Sequence, residues 1–206
     1  MFTNLRRTCV FHIKNNITYY VLILCGFVCG GIIAAACVLG LSELSFKELS
    51  IYFDDFFNSI NSGGSDAFGI FKIAALSNLK LYIILILLSV MFIGLPLIVV
   101  LSVWVGYSFW FSMFFVFKIY GIKGIVFALG GILPLQLSLL PCLSLTFVIC
   151  MQFSASLFKG KTDVKSSLSS FLLKMTLLFL VSMLSVLLEA YIEPIFMELM
   201  SSLYIG

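Results

Sequence analysis

The chain has 206 residues, 62% of them hydrophobic, 16% aromatic and 10% charged, with a mean hydropathy of +1.21. Soluble domains are about 45–50% apolar and about 25% charged, and a globule of this length cannot bury the excess, so lipid must be the solvent for most of the chain. The net charge of +3 is spread too thinly to grip a phosphate backbone, which sets nucleic-acid binding aside.

Residues 1–18 are a short tail with Arg6, Arg7 and Lys14 and no acid. Residues 19–41 carry no charge and open on Tyr19 and Tyr20. About 20 apolar residues cross a bilayer core, so this is the first span. It is too long for the apolar region of a secretory signal and reads as an uncleaved anchor. Gly26-x-x-x-Gly30, followed by Ala34, puts small residues on one face. That face lets another helix approach closely and also admits a homo-oligomer, unless it is the ordinary glycine content of membrane helices.

Residues 42–80 are the one sizeable hydrophilic stretch, with five acids and three lysines. Ser45-x-x-Glu48 has the spacing of a capping box, which satisfies free N–H groups at a helix start. Leu49, Tyr52, Phe53, Phe56, Phe57 and Ile60 then form one wide apolar stripe, opposed by Lys47, Ser50, Asp54 and Asn58. Asn61-Ser62-Gly63-Gly64 ends the pattern. A face this aromatic lies in the membrane interface, docks a partner, or packs on the chain's own spans. A second helical pattern begins near Ser65 and runs toward the next span.

Two uncharged stretches follow, 81–117 and 124–158. As helix each would measure about 50–55 Å against a hydrocarbon core of about 30 Å, too long for one span and short for two. Gly94-Leu95-Pro96 interrupts the first; Gly130-Gly131, Pro134 and Pro141 interrupt the second. Irregular backbone at membrane depth is tolerated only where protein or a water-filled cavity covers it. Residues 159–171 form a basic loop and 172–191 the last span, with Lys174 at one end, Glu189 near the other and Glu193-Pro194 closing it.

Lysine and arginine favour the cytoplasmic side. That rule places the tail and the 159–171 loop inside, and 42–80 and 192–206 outside. Three crossings between 81 and 158 satisfy this parity and bring the total to five. A proline-kinked span over 81–104, a second from Gly106, short or re-entrant helices around 124–131 and a third from Pro134 are expected. The expected fold is all-α: one polytopic membrane domain over 1–206 with five transmembrane helices, an outer amphipathic helix and a broken middle.

Chemistry is sparse. The only histidine is His12, so neither a zincin site nor a Ser–His dyad can be built. Cys25 and Cys29 lie one helical turn apart, yet their apolar setting reads as small buried residues rather than metal ligands. Asp54 and Asp55 point about 100° apart on a helix, a solvated pair rather than a catalytic one. No glycine-rich phosphate cradle occurs. The expectation is no enzyme, no cofactor and no metal. Coupled transport usually places ionisable groups at mid-membrane. The apolar stretches hold none, with Gln136 and Gln152 the most polar large side chains. A channel or permease-type path past the breaks near Pro96 and Pro134 stays as the alternative.

A further set of short motifs recurs in order: Ile93-Gly94-Leu95-Pro96, Tyr120-Gly121-x-x-Gly124, Ile132-Leu133-Pro134, Pro141 seven residues on, and Glu189-Ala190-Tyr191 with Pro194. With the basic tail, first span and acidic outer loop, this arrangement resembles the stage II sporulation protein M family across essentially the whole chain. One departure is Leu135, which stands between Leu133-Pro134 and the polar Gln136. The resemblance gives Gly94, Pro96, Gly121, Gly124, Leu133, Pro134 and Pro141 structural roles. It implies a bacterial cell-membrane scaffold for engulfment during endospore formation, in the mother-cell engulfing membrane or septum. That scaffold would recruit stage II sporulation proteins D and P, which carry the peptidoglycan-cutting chemistry. The stripe Leu49, Tyr52, Phe53, Phe56, Phe57 and Ile60 is the expected partner surface, and Gly26, Gly30 and Ala34 the expected helix-packing face.

Overall fold

The computed structural model describes residues 13–51, 67–91, 93–122, 124, 133–158 and 164–204. Among the described residues five long helices follow one another: α1 (Ile17–Leu39), α2 (Ala67–Val90), α3 (Gly94–Tyr120), α4 (Leu133–Phe158) and α5 (Val164–Tyr204). No strand occurs among the described residues. Each helix holds a stretch long and apolar enough to cross a membrane: Ile17–Leu39, Phe71–Val90, Gly94–Tyr120, Leu139–Leu157 and Leu168–Leu188. The expected all-α architecture, with five helices long and apolar enough to span, is what forms among the described residues.

The packing partners give the direction of each helix. Along α1 and α3, Gly26 faces Ser102, Gly30 faces Gly106 and Val38 meets Lys118, so these two helices run parallel. Tyr82 meets Thr146, and Gly94, just past α2, lies beside Ser154, so α2 and α4 also run parallel. Helix α5 runs against both, pairing Ser182 with Asn78 and Phe171 with Phe153. The chain therefore crosses in strict alternation. Helix α4 touches all four others. Half of its span is buried, against a third or less of each other span.

Leu85, Ile98, Phe147, Val148, Met151 and Met175 fill the centre. Leu24, Ile32, Leu87, Trp104, Leu173 and Leu184 point outward. An apolar exterior over an apolar core is stable only where the surroundings are hydrocarbon, because in water such a surface would aggregate.

The tightest packing is between α1 and α3. Gly26-x-x-x-Gly30 lies against Ser102-x-x-x-Gly106, small residues against small residues. A Cβ on Gly30 would fall 2.5 Å from the Tyr107 amide nitrogen, and one on Gly106 would fall 2.6 Å from the Phe27 carbonyl oxygen. Neither space exists for any residue but glycine. The two backbones are in direct contact, the geometry that drives association where lipid removes the hydrophobic incentive.

A second joint is polar. Asn78 on α2 donates to Ser182 on α5 at 2.8 Å, and Ser182 donates to the Phe179 carbonyl at 2.8 Å. One turn further along α2, the Tyr82 hydroxyl lies 3.0 Å from Thr146 Oγ1 on α4. Thr146 in turn bonds the Cys142 carbonyl at 2.8 Å, and the Cys142 thiol donates to the Leu178 carbonyl of α5 at 3.3 Å. An unpaired polar group in hydrocarbon is costly, so these bonds favour one arrangement of three helices over any slipped one.

Several boundaries differ from expectation. The expected kinked span over 81–104 is two helices, since α2 ends at Val90 and α3 starts at Gly94. The turn between them is closed by Met91 N–H to Leu88 at 3.2 Å and Gly94 N–H to Met91 at 2.9 Å. Pro96 sits in the first turn of α3, where no intrahelical N–H is required, and so causes no kink. Gly106 is a packing point inside α3 rather than the start of a span. Helix α2 begins at Ala67, inside the stretch expected as outer loop, so the second helical pattern is the first part of that span. At the other end α5 stays helical through Pro194 to Tyr204, because one proline removes a single N–H bond without forcing a stop. Cys25 and Cys29 are exposed on α1, not buried. The short or re-entrant helices expected around 124–131 fall almost wholly outside the described residues.

Replacing Gly30 with leucine should lower the thermal midpoint in mild detergent, by an amount equivalent to about 1–3 kcal/mol of overpacking. Cys29→Leu, on the exposed face of the same helix, should leave it unchanged. Equal midpoints by scanning fluorimetry would mean that the α1–α3 contact does not limit stability.

Candidate partner-binding surface

The segment expected on the outer side starts directly after α1. Gly40 N–H closes α1 on the Ala36 carbonyl at 2.9 Å, and two residues later Ser42 caps a new helix covering 43–51. Ser42 Oγ accepts from the Ser45 N–H at 3.3 Å, and the Ser42 carbonyl accepts from Phe46 N–H at 2.9 Å. The cap is therefore Ser42, three residues before the Ser45 of the expected capping box. The physical reason is the short link: Ser42 is the first side-chain oxygen after α1 within reach of the new helix's free amides.

This helix is sided. Glu43, Leu44, Lys47, Glu48 and Ile51 are exposed, whereas Ser45, Phe46, Leu49 and Ser50 are half-buried. Phe46 packs on Phe115 of α3, with ring centroids 5.7 Å apart. The Lys118 ammonium stands 5.0 Å from the Phe46 ring centre and donates to the Val38 carbonyl at 2.7 Å. One cation thus joins three elements. It lies in the last turn of α3, where the helix dipole is negative, and it satisfies a carbonyl at the end of α1 that has no intrahelical partner. Its apolar stem and cation–π contact hold the 43–51 helix against the membrane helices.

Beneath this joint runs an aromatic band. Trp110 stacks on Phe114 at 5.6 Å and lies 6.1 Å from Phe27, while Phe111 stacks on Phe115 at 6.0 Å. Gly31 of α1 leaves room for the Trp110 indole, whose ring a Cβ there would approach to 2.8 Å. The Trp110 N–H is buried without a partner among the described residues.

Of the expected partner residues, Leu49 is half-buried at the start of the stripe; Tyr52, Phe53, Phe56, Phe57 and Ile60 lie outside the described residues. Gly26, Gly30 and Ala34 are all buried in α1. Gly94 and Pro96 open α3, and Leu133 and Pro134 open α4. Pro141 sits inside α4 on an exposed face. Gly121 ends α3 with φ +59° and ψ −135°, a conformation only glycine adopts without strain, and Gly124 packs against the Val116 carbonyl. Phe46, Phe115 and Lys118 were not legible as a unit from the sequence. The available signal was that Lys118 is the first charge after a long apolar run and stands three residues before a glycine. Among the described residues no three His, Cys, Asp or Glu side chains are placed to hold a metal ion.

A family model describing stage II sporulation protein M matches residues 19–194, from the first span to the proline in the last helix. The chain belongs to the stage II sporulation protein M family. It is a membrane protein of the sporulation class, and the match covers all five spans. Searches of curated proteins and of solved structures return no match. Of the glycines and prolines noted in the sequence as family motifs, Gly94 and Pro96 fall at the head of α3, Gly121 at its tail and Pro134 at the head of α4, whereas Pro141 and Pro194 lie inside α4 and α5.

Lys118→Met should free the 43–51 helix without separating α1 from α3. Hydrogen exchange at 43–51 is expected to speed up about tenfold, on the scale of one hydrogen bond from a charged donor. Exchange in the Gly26–Gly30 turn should stay slow. Unchanged protection at 43–51 would show that Phe46 packing alone holds the segment.

Proposed function

We propose that this chain is a non-enzymatic membrane scaffold for engulfment during endospore formation. In this reading it anchors peptidoglycan-degrading partners, stage II sporulation proteins D and P, at the engulfing membrane. The observation that carries the reading is the family match across 19–194, which assigns the chain to sporulation. The architecture supports it in two ways. Strict alternation of the five helices leaves the 43–51 helix and the end of α5 on one side of the bundle and the start of α1 on the other, as this reading requires. The clamp around Lys118 ties the root of that segment to α3, so force on a bound partner would reach the membrane bundle rather than a loose loop.

Charge supports an orientation with the N-terminus in the cytoplasm. Arg6, Arg7 and Lys14 precede α1, and Lys159, Lys161 and Lys165 lie around the α4–α5 connection on the same side. Between α1 and α2 the sequence carries Glu43, Glu48, Asp54, Asp55 and Asp66 against the single Lys47. Lysine and arginine excess marks the cytoplasmic face.

Two experiments test these statements. In a cysteine-free background, a single cysteine at Glu43 should react with a membrane-impermeant maleimide in intact cells, and one at Lys159 only after lysis; the reverse pattern would invert the orientation. In sporulating cells, affinity capture in mild detergent should recover wall hydrolases with the native chain. The triple variant Phe53→Ser, Phe56→Ser, Phe57→Ser should insert normally yet lose them. Undiminished capture by a correctly inserted triple variant would refute the stripe as the contact.

A further inference from the structure

Between the end of the α4 span and the start of the α5 span is a cleft of about 200 Å³ whose lining differs from the rest of the lipid-facing surface. Gln152 and Ser156 lie in the last two turns of Leu139–Leu157, and Ser170 and Lys174 in the first two turns of Leu168–Leu188. Ser156 and Ser170 lie at the span ends and Gln152 and Lys174 about one turn deeper, within snorkelling reach of the membrane–water boundary on the side where α1 begins. By contrast, the crevice of about 490 Å³ between α1, α3 and α4 is lined by groups such as Ile23, Leu24, Phe27, Val105, Leu143 and Phe147.

The floor of the cleft is rigid. Phe153 and Phe171 stack at 4.2 Å with their planes 13° apart, and both are buried. One turn deeper, the Cys150 thiol lies 3.7 Å from the Met175 sulfur. The two helices are therefore packed directly against each other beneath the polar groups.

The donor inventory points to an anion. Lys174, Gln152 and Ser170 have no hydrogen-bond or ion-pair partner among the described residues. They present an ammonium, a carboxamide and a hydroxyl, a donor-rich set with one positive charge and no acid in the lining. Ser156 differs, because its hydroxyl already donates to the Phe153 carbonyl at 2.7 Å and its oxygen can only accept. A phosphodiester suits the three donors, and a headgroup hydroxyl suits the acceptor. We propose that this cleft binds the headgroup of an anionic, hydroxyl-bearing phospholipid of the phosphatidylglycerol type, with Lys174 on the phosphate. Basic pockets between transmembrane helices take lipid phosphates by this chemistry. The acyl chains lie along the apolar flanks of α4 and α5. The connection that follows α4 has Lys159 and Lys161 against one acid, Asp163, in its sequence.

The test uses the purified full-length chain in mild detergent, titrated with phosphatidylglycerol or phosphatidylcholine and read by native mass spectrometry. Phosphatidylglycerol adducts should survive, whereas phosphatidylcholine, which has no hydroxyl donor and no net charge, should not be retained. Lys174→Ala should weaken retention about fivefold, the scale of one surface lysine on an anionic lipid. Lys174→Arg should retain the lipid, and Lys72→Ala, on an exposed part of α2, should change nothing. If Lys174→Ala does not purify, Gln152→Leu with Ser170→Ala serves the same comparison. Equal retention of the two lipids, or no effect of the cleft variants, overturns the proposal. Displacement of the adduct by millimolar glycerol phosphate would assign the cleft to a soluble phosphate ester instead and overturn the lipid assignment. The readout is lipid binding by the isolated chain, so it stands or falls apart from the scaffold reading.

Discussion

Backbone contact between α1 and α3 constrains everything else in this fold. In water two apolar helices associate because burial removes surface from solvent, but lipid tails are as apolar as leucine and give no such incentive. What remains is close packing, and the paired runs Gly26-x-x-x-Gly30 and Ser102-x-x-x-Gly106 let the main chains touch. Because the two helices run parallel, the chain between them has to return across the membrane. Helix α2 makes that return, and the turn at 91–93 brings α3 back beside α1. The contact between backbones thereby requires an intervening crossing.

The remaining half is held differently. Helices α2, α4 and α5 meet through Asn78–Ser182 and Tyr82–Thr146, with the Cys142 thiol bonded to the Leu178 carbonyl. Interhelical bonds of this kind contribute about 0.6 kcal/mol on average in membranes, so their number matters less than their specificity. A helix slipped by one residue would strand each group in hydrocarbon. Helix α4 links the two halves, since it packs on the polar joint from one side and on α3 from the other. It is also the most buried span, and Phe147, Val148 and Met151 from α4 belong to the central cluster.

The number of spans and the position of the first were legible because hydropathy is an average that long segments express strongly. Span boundaries were not, and the reasons are specific. Residues 81–117 have no charge to mark a turn, and a turn of three residues needs none when its amides bond back to the preceding helix. Lys72 and Lys80 suggested a polar loop, yet both project from the exposed side of α2. Gly94-Leu95-Pro96 carries the same letters whether it kinks a helix or starts one. In the candidate surface, the small-residue run of α1 was legible, but its counterpart in α3 was not: Gly106 read as a boundary, and a lone serine four residues before it gives no packing signal by itself. The Lys118 joint links residues 80 positions apart and had no local pattern to betray it.

That joint follows from the parallel pairing itself. Two parallel helices set their negative C-terminal ends side by side, which is unfavourable and is worsened by low dielectric. A single cation placed between those ends relieves both, and Lys118 does so from the last turn of α3 by bonding the Val38 carbonyl of α1. Because α1 ends there, the next residues must leave beside the same cation, and Phe46 comes to rest against it. The 43–51 helix thus emerges at a position dictated by helix electrostatics rather than by loop sequence. Any partner grasped by that segment is held at a fixed point of the bundle, directly above the two helices that are packed most tightly.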